Sequence, residues 1–188
     1  MNQTIGNYLI RSFDQSDAPA IAKHANNRKI WLNLRDGFPH PYALCHAEGF
    51  LSGVIKTEPQ TVFAIATPAE AIGCIGLTIG QDVHHLTAEL GYWLAEPFWG
   101  QGIMPLAIGV VVKYAFGTLG LNRVHADPYT TNPASARVLE KAGFEREGIL
   151  RASVIKDGKI LDQALYAKIR DRITQPPTAG YGSQARRT

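Results

Sequence analysis

A glycine-spaced segment, residues 99–105, constrains the fold of this chain more than any other feature of its sequence. It reads WGQGIMP and lies between an apolar extended run and a long apolar stretch of helical character. Gly100 and Gly102 let the backbone adopt positive φ angles and approach a ligand closely. Pro105 suits the first turn of a helix, where its missing N–H has no partner to lose. The segment predicts a strand-to-helix turn whose free N–H groups, with the helix dipole behind them, bind an anion such as a pyrophosphate.

This signal alone leaves two interpretations open: a phosphate-binding loop, or an ordinary turn with two permissive glycines. Two well-known phosphate loops are excluded. No Gly-Lys-Ser/Thr follows, and Pro105 stands where a dinucleotide fingerprint has its third glycine.

Length and charge favour one core and weigh against several function classes. The 188 residues, 45% of them hydrophobic, are enough for a single domain over residues 1–170, followed by a flexible tail at 171–188. The net charge of +3 is too small to indicate a nucleic-acid partner. The sequence has neither a run of about 18 apolar residues nor a leader-like amino terminus, so we expect no membrane insertion and no secretion. Two cysteines without metal-ligand spacing favour a reducing, cytoplasmic setting.

Hydrophobic periodicity predicts a mixture of strands and helices. Strands are expected at 8–13, 61–67, 71–79, 86–95, 123–129, 144–154 and 160–169, and helices at 18–27, 43–56, 104–116 and 133–142. Asp157-Gly158 predicts a hairpin turn, and Gly91 inside a strand indicates a bulge or a close backbone approach. Residues 31–42 read WLNLRDGFPHPY and predict an irregular loop, either a packing corner or the wall of a substrate pocket. We therefore expect an α/β (α+β) fold with a mixed, mostly antiparallel twisted sheet of about seven strands and about four helices.

Together these segments resemble the GCN5-related N-acetyltransferases, and within them the ribosomal-protein N-terminal acetyltransferase branch. The resemblance is carried by the glycine loop and by several motifs around it. They are ELGYW at 89–93, NPAS at 132–135, EKAGF at 140–144, DGFPHPY at 36–42 and DG at 157–158. The resemblance covers roughly residues 7–170. It implies a sheet whose central strands splay apart, and direct transfer of an acetyl group from acetyl-CoA to an amine.

The resemblance also implies a cosubstrate site built largely from backbone amides. The first position of the family's loop is often Arg or Gln and is Trp99 here, so Trp99 is not expected to be a ligand. A backbone N–H of about Leu94 or Trp93 would bind the thioester oxygen, and Asn132 would cap its helix or also hold CoA. The loop residues implied for acetyl-CoA are Gly100, Gln101, Gly102, Ile103 and Met104.

The catalytic residues are implied by the same resemblance. Many family members use a tyrosine as the acid, but that position is Leu139 here, so Ser135 is the candidate proton donor. Its hydroxyl has an alternative role, which is to satisfy a backbone group in the first helical turn. Glu89 is the candidate base, directly or through water, unless it is only a solvated or salt-bridged strand residue. Asp127 is the second candidate.

The acceptor is the least defined part of this hypothesis. Trp31, Phe38 and Tyr42 of the aromatic loop are the expected substrate-binding residues. The acceptor is a protein N-terminal amine or a small-molecule amine, and the basic residues of the segment 28–35 argue weakly against a polyamine. A non-catalytic acyl-CoA sensor is the alternative class. Homodimers are common in the family, but no sequence patch identifies an interface. We expect no metal site at the histidines 84, 85 and 125, because adjacent residues on a strand face opposite ways.

Overall fold

The computed structural model describes residues 1–171, and its strands form one eight-stranded sheet. The strands are β1 (Asn2–Ile5), β2 (Tyr8–Arg11), β3 (Val62–Ala66), β4 (Ala71–Ile79), β5 (Thr87–Leu94), β6 (Arg123–Ala126), β7 (Glu145–Lys156) and β8 (Lys159–Ile169). Their order in the sheet is β1-β2-β3-β4-β5-β6-β8-β7, and every neighbouring pair is antiparallel except β5 and β6, which run parallel. The predicted mixed, mostly antiparallel fold is confirmed, with one strand more than expected.

The helices cover both faces of the sheet. They are α1 (Ala18–Ala25), α2 (Arg28–Trp31), α3 (Leu44–Val54), α4 (Ile103–Gly117) and α5 (Pro133–Lys141). Along β3, Phe63 and Ile65 belong to the apolar cluster that contains α4, whereas Ala64 belongs to the cluster that contains α1 and α3. This alternation follows from the two-residue period of a strand. None of the described helices is long and apolar enough to cross a membrane.

The sequence prediction missed two elements. The strand β1 reads NQTI and buries only Ile5, so it has no apolar alternation to reveal it. The helix α2 is a single turn, begun by Asn27, whose side chain accepts a hydrogen bond from the backbone N–H of Lys29 at 2.8 Å. The predicted flexible tail, 171–188, lies outside the described residues except for Asp171.

Of the two alternatives predicted at Gly91, a bulge or a close backbone approach, the bulge is wrong. The β4–β5 register runs without a shift from Gly73 opposite Leu94 to Ile79 opposite Ala88. A Cβ atom on Gly91 would meet no protein atom within 4 Å, so the glycine leaves open space beside the strand. By contrast, the predicted hairpin at Asp157-Gly158 is confirmed, and both residues have positive φ angles, of 51° and 72°.

The parallel pair β5 and β6 positions the site. These strands pair at only three positions, from Thr87 opposite Arg123 to Glu89 opposite His125. Beyond Glu89, β5 continues to Leu94 without a neighbour on that side, and β6 ends at Ala126. The two central strands therefore part and leave a gap in the middle of the sheet, as the resemblance implied.

Candidate active site

A cavity of about 920 Å³ opens where β5 and β6 part. This volume lies within the range of small-molecule sites in proteins. It extends from the glycine loop at one end to the aromatic loop 31–42 at the other. Most of the predicted site residues line it: Phe38, Tyr42, Glu89, Leu94, Gly100, Gly102, Ile103, Met104, Asn132 and Ser135. The structure thus brings together residues from four separate stretches of the sequence.

The glycine loop meets the conformational requirement of the predicted anion site. Gly100 and Gly102 have φ angles of 76° and 75°, and Gly102 immediately precedes the first turn of α4. A Cβ atom on either glycine would meet no protein atom within 4 Å, so the space in front of the loop is open. The side chains of Ile103 and Met104 are buried in the core. These two residues therefore offer the cavity chiefly the amides of an uncapped helix terminus.

Two other loop side chains make hydrogen bonds within the protein. The Gln101 side chain accepts a hydrogen bond from the Tyr8 hydroxyl at 2.8 Å and donates to the Pro97 carbonyl at 3.1 Å, and the residue does not line the cavity. The Trp99 indole N–H donates to the Leu94 carbonyl at 2.6 Å. These bonds fasten the loop to the amino-terminal hairpin and to the end of β5.

The backbone of β5 distinguishes Leu94 from Trp93 as the amide that faces the gap. Ala95 N–H donates to the Ile72 carbonyl on β4 at 2.8 Å, and alternate residues of an antiparallel strand point to the same neighbour. Trp93 therefore points its amide toward β4, and Leu94 points its amide toward the gap. The Leu94 carbonyl points to the same side of the strand as the Leu94 amide. It accepts a hydrogen bond from Trp99 and not from β4, which supports this orientation.

Ser135 lies in the first turn of α5, at the edge of the cavity. Asn132 caps this helix, as predicted, since its Oδ1 accepts from the Ser135 backbone N–H at 3.2 Å. The Ser135 hydroxyl makes a different contact, at 2.7 Å from the Tyr92 hydroxyl. The side chain is therefore not used to satisfy its own helical turn.

Tyr92 is the functional candidate that the sequence reasoning missed. Burial raises its pKa to about 12, so the phenol keeps its proton at neutral pH. Either hydroxyl can be the donor in the contact between Tyr92 and Ser135. The alternation of β5 places Tyr92 on the same face as Leu90 and Leu94, and this signal was available from the sequence. Its partner was not, because Ser135 lies 43 residues further along the chain.

The two candidate bases lie on opposite sides of the gap. Glu89 on β5 forms an ion pair with Arg35, whose Nη2 lies 2.5 and 2.6 Å from the two carboxylate oxygens. Asp127 follows β6, and its Oδ1 lies 3.4 Å from His125 Nδ1. Both carboxylates line the cavity, and Glu89 lies nearer the aromatic loop that supplies its partner.

Aromatic side chains form the far wall of the cavity. Phe38 packs against Tyr42 with ring centroids 4.8 Å apart, and against Trp93 at 6.2 Å. Tyr42 is buried, which raises its pKa to about 12. Cys74 also lies in this wall and is buried, which raises the pKa of its thiol to about 12. This end of the cavity is a mostly apolar surface around the Arg35–Glu89 pair.

Trp31, in contrast, does not line the cavity. Its ring stacks on His40 and lies 3.8 Å from the ammonium of Lys156 at the tip of the β7–β8 hairpin. Lys156 is buried and also donates to Asp36 at 2.7 Å. The cation is strongly attracted to an indole face and an adjacent carboxylate. Trp31 is thereby engaged in fixing the aromatic loop to the hairpin and does not face the site.

The sequence matches a family model described as an acetyltransferase (GNAT) domain over residues 7–145. The chain belongs to the GNAT acetyltransferases. It is 31% identical to the [ribosomal protein uS5]-alanine N-acetyltransferase of Escherichia coli over 171 residues, 87% of this chain and 88% of that protein. Other curated relatives match in part. The uncharacterized N-acetyltransferase YoaA of Bacillus subtilis is 38% identical over 104 residues, 55% of this chain.

The chain spans only about half the length of several of these relatives, for example 58% of YoaA. Among solved structures, the ribosomal-protein-S5-alanine acetyltransferase of Vibrio fischeri superposes with a TM-score of 0.80 at 23% identity. The match covers 91% of this chain and 97% of that one. This likeness shows that the two proteins share the GNAT fold.

Proposed function

We propose that this protein is an N-acetyltransferase that moves the acetyl group of acetyl-CoA to a primary amine, and that the amine is a protein N-terminal α-amine. One observation carries the proposal. The parted strands bring the open glycine loop, the Leu94 amide, Ser135 and a carboxylate to a single cavity. These are an anion cradle, an oxyanion donor, a hydrogen-bond donor and a base, which acyl transfer to an amine requires.

The glycine loop fits the pyrophosphate of acetyl-CoA. The first-turn amides of α4 bind anionic oxygens that enter the open space in front of Gly100 and Gly102. No charged side chain is needed for this binding. The gap between β5 and β6, which Asn132 borders, would admit the pantetheine arm. When bound, acetyl-CoA supplies an activated acyl group and a thiol leaving group.

The remaining groups act where charge changes during the transfer. The Leu94 amide donates to the thioester carbonyl oxygen, which gains negative charge when the amine attacks. Glu89 accepts the proton of the amine, directly or through water. The new C–N bond forms and the C–S bond breaks. The Ser135 hydroxyl donates a hydrogen bond to the departing sulfur.

Tyr92 positions Ser135 for this step. If the Tyr92 phenol donates to the Ser135 oxygen, the serine proton is directed away from Tyr92 and toward the cavity. A tyrosine whose pKa is about 12 remains a donor throughout the neutral range. Tyr92 therefore acts through Ser135 and does not itself transfer a proton.

The choice of a protein amine is supported by a relative that matches most of this chain. That relative is named for the alanine of a ribosomal protein, and it matches 87% of the chain. The protein is also proposed to act in the cytoplasm, in keeping with two free cysteines, one exposed and one buried.

The test is thiol release from acetyl-CoA, measured with a panel of N-terminal peptides, free amino acids and polyamines. We expect turnover with peptides. Turnover confined to one of the other amines would retain the activity and overturn the proposed acceptor.

A second candidate function is a non-catalytic acyl-CoA sensor. It is favoured by Leu139, which is fully buried at the position where many family members have their tyrosine acid. A rise in melting temperature with CoA, without thiol release for any amine in the panel, would support the sensor. The absence of any thermal shift with CoA would contradict both functions.

A further inference from the structure

The proposed reaction must disturb the ion pair between Arg35 and Glu89 in the cavity. Glu89 is the proposed base, and its carboxylate is occupied by a guanidinium from another segment of the chain. The amine of the acceptor must reach this carboxylate to lose its proton. Arg35 therefore stands where the acceptor binds.

The geometry leaves Arg35 free to move. A single nitrogen, Nη2, contacts both oxygens of Glu89, and among the described residues Nε and Nη1 make no hydrogen bond. The Arg35 side chain is 75% exposed, against 28% for Glu89. Because an exposed ion pair contributes little net stability, an incoming ligand can exchange it at small cost.

The neighbouring cations of this segment are engaged elsewhere. Arg28 pairs with Asp157 at 2.7 Å, outside the cavity, and Lys29 pairs with Glu96 next to the glycine loop. Lys156 is buried against Trp31 and Asp36. Of these cations, Arg35 is the one whose carboxylate partner is the proposed base.

An acceptor that carries only an ammonium group would have to compete with Arg35 for the Glu89 carboxylate. An acceptor with an anionic group beside its amine gives Arg35 a new partner, so that two ion pairs replace one. The planar guanidinium of Arg35 is suited to hold a carboxylate through two nitrogens. The Arg35–Glu89 pair thus complements a ligand that carries both an ammonium group and a carboxylate group.

We propose that Arg35 selects acceptors in which a carboxylate lies within a few bonds of the primary amine. When such an acceptor binds, Arg35 moves from Glu89 to the acceptor's carboxylate, and Glu89 becomes free to take the amine proton. This inference rests on the proposed function and narrows its substrate class. Two sources supply this chemistry: a peptide N-terminus followed by an acidic residue, and a free amino acid.

The experiment compares kcat/KM for three peptides that differ only at the second residue, which is Glu, Gln or Lys, together with free alanine and glutamate. We expect the wild-type protein to prefer Glu over Gln by about tenfold, the scale of one charge-assisted hydrogen bond. A strong preference for a free amino acid over all three peptides would identify the α-carboxylate as the anion that Arg35 binds.

Two variants test whether Arg35 causes the preference. In Arg35→Gln, the ratio of kcat/KM for the Glu peptide to kcat/KM for the Gln peptide should fall to about one. In Arg35→Glu, the Lys peptide should have the highest kcat/KM of the three. Because the ratio compares two peptides with the same variant, a general loss of activity cancels. Arg28→Gln is the matched control, since it removes an ion pair of the same segment outside the cavity, and it should keep the wild-type ratio.

The outcomes separate this inference from the function on which it rests. Equal rates for the peptides and amino acids with the wild-type protein, or an Arg35→Gln variant that keeps the wild-type preference for the favoured carboxylate-bearing acceptor, would overturn the role of Arg35 and leave the acetyltransferase intact. Binding of CoA without turnover of any acceptor would overturn the proposed function itself, and the role of Arg35 with it.

Discussion

The two ends of the cavity are built in different ways. The glycine-loop end consists of backbone amides on a helix whose inner face is buried in the core, with Ile108 and Val111 fully enclosed. The acceptor end is made of side chains joined across long sequence distances, such as Arg35 with Glu89, which are 54 residues apart. A backbone site depends on local conformation, whereas a side-chain site depends on the whole fold.

The largest effect is expected at the glycine loop. Gly102→Val should weaken CoA binding by about 100-fold, because a β-branched residue is strained at a φ of 75° and its side chain fills the open space before the loop. Isothermal titration with CoA measures the loss. Gly109→Ala, on the exposed side of α4, is the control and should bind CoA normally. An unchanged affinity in Gly102→Val would disprove our description of the loop.

Ser135→Ala should lower kcat by about 30-fold, in the range for removing a hydrogen bond to a group that gains charge. The KM for acetyl-CoA should change little, since the loop that binds the pyrophosphate is untouched. Steady-state thiol release measures both constants. A kcat equal to that of the wild-type protein would leave Ser135 with only a structural role.

Tyr92→Phe should lower kcat by about fivefold, less than Ser135→Ala, because the serine keeps its hydroxyl and loses only the partner that orients it. The double variant should be no slower than Ser135→Ala alone, since Tyr92 acts through the serine. Additive losses in this double-mutant cycle would show that the two hydroxyls act independently.

At the acceptor end, Trp31→Ala should raise the KM for the acceptor by about threefold and leave CoA affinity unchanged. The aromatic loop loses the ring that holds Lys156, although Trp31 itself does not line the cavity. Val83→Ala, at an exposed position outside the cavity, is the control. A change of about threefold in the CoA affinity of Trp31→Ala would show that the two ends of the cavity are coupled.

The smallest effect is a loss of stability at high pH. Burial raises the pKa values of Tyr92 and Cys74 to about 12, above their ordinary values of 10.0 and 9.0. Both groups keep their protons in the folded protein after the unfolded chain has lost them, so stability falls as pH rises from about 9 to about 12. Calorimetry should show a melting temperature that decreases by a few degrees per pH unit over this window. Tyr92→Phe should make the decrease shallower, and an identical slope would contradict the assignment for Tyr92.

The contrast also explains which features the sequence could predict. The glycine loop, the helix after it and the Asn132 cap depend on residues close together in the chain, and the structure contains all three. The Tyr92–Ser135, Arg35–Glu89 and Trp31–Lys156 contacts join distant segments, and none of them leaves a local pattern. Trp31 was expected to face the acceptor because its loop does, but a buried cation engages its ring. The strand β1 was missed since pairing with β2, and not its own composition, makes it a strand.

The most direct test of this account is the amide spectrum of the isotope-labelled protein, recorded while CoA and then an N-terminal peptide with an acidic second residue are added. We predict that CoA shifts the amides of Gly102 and Ile103, and that the peptide then shifts those of Arg35 and Phe38. If CoA leaves the glycine-loop amides unmoved and instead shifts those of the aromatic loop, the assignment of the two ends of the cavity is wrong.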